Sequence, residues 1–194
     1  MYPYSLNQST SHTQHPLSPS RIPSATASPP TSIPSLVYRV HRTTAQTRYN
    51  FSTGFSAKNQ TTIVNYTSAL SRFGLAHLNH QTNISSPFIS VYDNLAHAEA
   101  VAKHFAEKYK EDIWVVTVDT RHFARGPVFR AADLLEKDVE EGKIGEKMGK
   151  EEAWLHFGEY LVMYRIPAQA IRDQTPVARG GDQTWRAPGV IGGA

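Results

Sequence analysis

Leu95, Ala98, Ala102, Phe105 and Tyr109 step along the chain by three, four, three and four residues, one apolar stripe of an amphipathic helix. Asp93 or Asn94 stands where a side-chain oxygen can cap its first turn. Directly after it, Ile113 to Val118 is an unbroken apolar run of strand length, the pattern of a strand covered on both faces. A one-sided helix feeding a two-sided strand requires sheet and helix to share a core.

The remaining pattern adds strands at Leu36–His41, entered after Pro34, at Phe88–Val91 and at Tyr160–Ile166. Helical spacing predicts further helices over Thr67–Leu78 and Ala131–Glu141. Arg42 to Asn59 reads as a long polar loop, and the charged Glu140–Glu152 stretch as an exposed loop or frayed helix. The helices are spaced too irregularly for repeated βαβ units, so the expected class is α+β, helices against a split or two-sheet β core.

Composition sets the limits of that domain. The first 34 residues are dominated by Ser, Thr, Pro and Gln, which cannot bury enough apolar surface to offset their ordering entropy, so residues 1–34 are expected to be a disordered tail. A second loose end is expected over 174–194, where Gly180-Gly181 and Gly192-Gly193 lie, leaving one domain at 35–173. With no cysteine in the chain, disulfides, thiolate metal sites and a cysteine nucleophile are excluded. Neither a basic-then-apolar leader pattern nor an apolar run of membrane-spanning length occurs, so the expectation is a soluble cytoplasmic protein, with secretion by an unconventional route left open.

Charge is unevenly spread. All 17 acidic residues fall at or after Asp93, whereas Arg21, Arg39, Arg42, Arg48, Lys58 and Arg72 precede it. A positive first half could attract a phosphate-bearing ligand or simply be solvated. It holds no dense Lys/Arg cluster with interleaved aromatics, so nucleic acid is not an expected partner. His77 and His80 share a spacing that zinc ligands use, but no second pair or nearby carboxylate completes a site, and no metal is expected.

Three polar residues interrupt apolar strands: Arg39 in Val37-Tyr38-Arg39-Val40, Ser90 in Pro87-Phe88-Ile89-Ser90-Val91, and Glu159 opening Glu159-Tyr160-Leu161-Val162-Met163. Such groups are costly in a core unless something uses them. A guanidinium donates forked, charge-assisted bonds suited to a diphosphate. A hydroxyl can orient a neighbour, and a carboxylate can stabilise positive charge on a sugar ring as a glycosidic bond breaks. His41 shares the strand face of Arg39 and could line the same pocket, and His156 could lie near Glu159. For both, a surface histidine is the plainer alternative.

In their order and setting these motifs resemble the Arg-Ser-Glu class of mono-ADP-ribosyltransferases, the clade of the cholera and heat-labile enterotoxin A chains. Val37-Tyr38-Arg39 is similar to that family's opening strand, and Phe88-Ile89-Ser90 with the helix from Leu95 to its Ser-Thr-Ser strand and following helix. Glu159 ahead of Ile166-Pro167 sits where the family places its catalytic glutamate. The resemblance implies two packed small sheets flanked by helices, and NAD as the substrate, with no metal. It gives Arg39 a grip on NAD, with His41 and Tyr92 beside it. Ser90 and Glu159 would be catalytic, releasing nicotinamide and passing ADP-ribose to a protein acceptor or to water. Phe157 stands where arginine-modifying members carry a second acid, which argues against an arginine acceptor. Ser90-Val91-Tyr92 replaces the family's Ser-Thr-Ser. Both departures also suit a different reading, a catalytically degenerate module for protein interaction or NAD sensing.

Overall fold

The computed structural model describes residues 33–64, 67–123, 126–140 and 152–178. Nine strands and three helices follow one another there: β1 (Leu36–Arg42), β2 (Arg48–Asn50), β3 (Gly54–Ser56), α1 (Thr67–Leu78), β4 (Phe88–Tyr92), α2 (Leu95–Tyr109), β5 (Ile113–Asp119), β6 (Val128–Arg130), α3 (Ala131–Glu140), β7 (Glu159–Met163), β8 (Arg165–Ile166) and β9 (Ile171–Ala178). The expected α+β class with two sheets holds: six strands in the order β6-β7-β4-β1-β5-β9 and three in the order β2-β3-β8, with antiparallel pairing throughout.

Alternation along the strands separates three apolar clusters. Val37, Ile89, Val91, Val116, Val118 and Val162 point toward the small sheet and meet Phe55 and Ile166 there. On the opposite face, Val40, Ile113 and Val115 receive Ala98, Val101, Ala102 and Phe105 of α2. The same face further along packs Phe88, Leu161 and Met163 against Leu70, Leu78 and Leu134 of α1 and α3. A side chain such as Phe55, fully buried, contributes roughly 2–3 kcal/mol through its removal from water. Asn94 caps α2 by accepting from the His97 amide, and Lys110 closes its other end in the left-handed conformation.

Several sequence expectations shift. Arg42–Asn59 is not one loop: β2 and β3 form a hairpin inside it, and Gly54 is needed there, since a Cβ would stand 2.1 Å from the Ile166 carbonyl oxygen. Tyr160–Ile166 is two strands rather than one. Tyr164, at φ 64°, breaks it, so that β7 joins the large sheet and β8 the small one. The expected loose end is strand through Ala178, because β9 pairs with β5 over Gln174–Ala178. At the other boundary Pro34 and Ser35 are tied to Thr120 by hydrogen bonds. The rest of the expected N-terminal tail, and most of Glu140–Glu152, lie outside the described residues. No helix among the described residues is long and apolar enough to cross a membrane.

Candidate functional site

β1 and β4 are neighbours in the sheet, yet they register at a single pair, Tyr38 with Tyr92, and diverge from there. Arg39 fills the gap. Its Nη1 donates to the Ser90 carbonyl at 2.9 Å, while its Nε is buried without a partner among the described residues. Burial pushes the guanidinium down to about 10, against the pull of Tyr92 and Glu159, so it stays cationic at neutral pH.

Phe88, Ser90 and Tyr92 alternate onto the helix-covered face of β4. Tyr92 pairs directly with Glu159, which therefore faces the same way. Burial raises the Tyr92 hydroxyl well above its usual value. From the last turn of α1, His77 places Nε2 2.8 Å from the Ser90 hydroxyl, and burial lowers its imidazole to about 4, leaving it neutral at pH 7. His80 follows in a left-handed conformation at φ 51°, its ring 5.5 Å from Phe105 and 6.2 Å from His156. A non-glycine residue held in that region marks stored backbone strain, common at functional sites.

Glu159 is 4% exposed and receives the Nδ1 of His156 at 2.6 Å. Burial works to raise its carboxyl. The His156 hydrogen bond and charge, the Ser90 hydroxyl and His77 outweigh that and hold it below the ordinary glutamate value. His156 is thus not a surface histidine but a buried partner of the carboxylate. Sequence order alone offered its signal, three residues ahead of the one acid in an apolar strand.

Between the β1–β4 gap, the end of α1 and α2 lies a cavity of about 150 Å³. Arg39, Ser90 and Tyr92 line it, together with His77 and His80, and Arg42 and Lys58 line it as well. Among the described residues no Asp or Glu lines it, whereas Arg39, Arg42 and Lys58 do, so these residues give it a positive field. Glu159 is adjacent but not part of the wall. His41 is not in the wall either: past the gap, its strand face turns to the small sheet, where its ring packs 5.2 Å from Phe55 and 6.0 Å from Tyr49. Tested against NAD, the site fits in charge and in an unused guanidinium donor, whereas the cavity is smaller than the roughly 300–1,000 Å³ usual for ligand pockets. Among the described residues no cluster of three His, Asp or Glu is placed to hold a metal ion.

The class defined by this geometry is a two-sheet α+β domain with a basic cavity backed by a buried carboxylate. Residues 32–179 match the family described as Domain of unknown function (DUF7587), and the chain belongs to that family. No curated protein matches it. A solved structure named EcPltA is similar at 16% identity, covering 71% of this chain and 72% of that one, with a TM-score of 0.46. Likeness at that level carries no inference about fold or chemistry.

Proposed function

We propose that the domain binds NAD and breaks its nicotinamide–ribose bond, ADP-ribose passing to water or to an acceptor. One observation carries the reading: Arg39 and Ser90, from two strands, line a single basic cavity, and Glu159, from a third, stands directly behind it on the Ser90 hydroxyl. The resemblance of their motifs to the Arg-Ser-Glu transferases supplies the reaction. Arg39 would take a phosphate through its free donor face. The C–N bond to nicotinamide breaks with its electron pair leaving on neutral nicotinamide. Glu159, ionised at neutral pH, offsets the positive charge left on the ribose, and water or an acceptor adds at the anomeric carbon and loses a proton. The cleft between β1 and β4 must widen for the dinucleotide to enter. Phe157 is 66% exposed and cannot accept from a guanidinium, so an arginine acceptor is not expected.

The test is nicotinamide release from NAD by the wild-type protein and by Glu159→Gln. Equal turnover in the two removes the role given to Glu159. A second reading has its own support, since Glu159 lies behind the cavity wall and is already bonded to His156. It is binding without turnover, and NAD-dependent thermal stabilisation with no nicotinamide release selects it.

A further inference from the structure

The turn Ala153–His156 is fastened to α2 at three points. Leu155 is buried in the cluster that α2 forms with β1 and β5. Trp154 stands edge-on between two rings of α2, His97 at 5.8 Å and 89° and His104 at 5.5 Å and 82°. Glu152 pairs with Lys108 just before the turn. Beyond it, Gly158 takes φ 63° where a Cβ would strike the Asp93 carboxylate, and its carbonyl accepts from the Asp93 amide at 2.9 Å. The four residues from Leu155 to Gly158 therefore have little freedom. What they present inward is the imidazole of His156.

We infer that His156 is a positioning residue for Glu159: the turn clamped on α2 holds its Nδ1–H on Oε2 and so fixes where the carboxylate points relative to the cavity. The inference rests on the reading of Glu159 given above. An ionised carboxylate only accepts, so the bond requires the proton on Nδ1. The groups that act on Glu159 come from every side: Arg39 from β1, Ser90 and Tyr92 from β4, His77 and His80 from the end of α1. Of these, Ser90 is shared with His77 and Arg39 is turned to the Ser90 carbonyl. His156 is the donor committed to Glu159. Without it, burial acts on the carboxyl less opposed and pushes it toward the protonated form, which cannot offset positive charge on a sugar.

Two readouts on the full chain test this. The first follows the Glu159 carboxyl by carbon NMR titration, its signal assigned by its disappearance in Glu159→Gln. In wild type it titrates below the usual glutamate range. In His156→Leu it moves above that range. His156→Asn, whose amide sits near the Nδ1 position, moves it back, and His156→Gln, whose amide reaches too far, does not. The Asn and Gln pair decides the matter if the Leu variant does not fold. The second readout is nicotinamide release against pH. His156→Leu loses about 100-fold in kcat at neutral pH with KM nearly unchanged, its acid limb shifts to higher pH, and Asn restores most of the rate. A carboxyl that titrates alike in wild type, Asn and Gln variants overturns the inference. If the titration shifts as expected but wild type releases no nicotinamide, the positioning stands and the catalytic reading above fails.

Discussion

Among the described residues two carboxylates are almost fully buried, Asp119 at 1% and Glu159 at 4% exposure, and they are satisfied in opposite ways. Asp119, at the end of β5, holds two guanidiniums. Arg121, from the turn that follows, donates through Nε at 3.1 Å and Nη2 at 2.7 Å, and Arg172 of β9 donates at 2.8 Å. Arg121 is largely in solvent and Arg172 nearly half so, whereas Asp119 is buried, so desolvation falls mainly on the carboxylate. Those hydrogen bonds, from Arg121 first and then Arg172, press the Asp119 carboxyl far below the ordinary carboxylate range. Glu159 has an imidazole and a hydroxyl, with its nearest guanidinium turned elsewhere. The first carboxylate ties β5 to β9 with its charge met. The second keeps its charge incompletely met beside a basic cavity, an arrangement that makes sense when a ligand or a reaction supplies the rest.

The contrast can be broken most sharply by activity. Glu159→Gln is expected to lower nicotinamide release by about 100- to 1,000-fold, whereas Asp119→Asn leaves it within a few-fold. Similar losses in both would show that the two carboxylates do not differ in kind. Next comes stability. His156→Leu strands a buried carboxylate and is expected to cost about 3 kcal/mol in urea unfolding, and adding Glu159→Leu should return a good part of it. Failure of the double variant to recover would point to lost packing rather than a stranded charge.

Acid separates the two regions by window. His77 and His41 are lowered from 6.5 to about 4, mainly by burial, so the unfolded chain binds protons that the fold refuses. Their contribution is complete above the unfolded value and drains as pH falls from about 6.5 toward 4, up to roughly 3 kcal/mol for each. Asp119 and Glu159 are lowered carboxyls. Their contributions persist through that window and drain only as pH falls below about 4. Urea midpoints that stay flat from pH 7 to pH 4.5 would contradict the order. The smallest effect is expected from Asp119→Asn on stability, a loss below that of His156→Leu that shrinks as salt is added, because its partners are exposed. A loss indifferent to salt would mean Asp119 acts as a buried ion after all.

Helices and long strands were the legible part. The stripe from Leu95 to Tyr109 coincides with α2 and the spacing from Thr67 to Leu78 with α1, because one-sided burial leaves a period in the sequence. β2 and β3 were illegible. Arg48-Tyr49-Asn50 and Gly54-Phe55-Ser56 are too short to show alternation, and they become strands only by pairing with each other and with β8. Gln174–Ala178 reads as tail for the same reason: as an edge strand it is polar and holds Pro176, which suits a sheet margin and hides the strand. At the site, Arg39, Ser90 and Glu159 were conspicuous as polar breaks in apolar strands, and they do come together. His41 misled because sharing a strand face says nothing about which side of a splayed sheet holds the cavity. His77 was visible only as half of a metal spacing, and its bond to Ser90 depends on how α1 docks on β4.

Tyr164 sits at φ 64° where the chain passes from one sheet to the other. In a conformation that costs an L-residue about 1–2 kcal/mol, it turns one segment from the large sheet into the small one. Its amide donates to the Pro87 carbonyl, its own carbonyl accepts from Ala57, and its hydroxyl bonds the Thr62 carbonyl. Glu159 and Ile166 thus sit at opposite ends of a single eight-residue span with its bend pinned on three sides. Any widening of the β1–β4 gap that admits a large guest must shift β4, on which this span is paired at Tyr92–Glu159, so the room available to the guest and the lie of the acid beside it are mechanically the same variable.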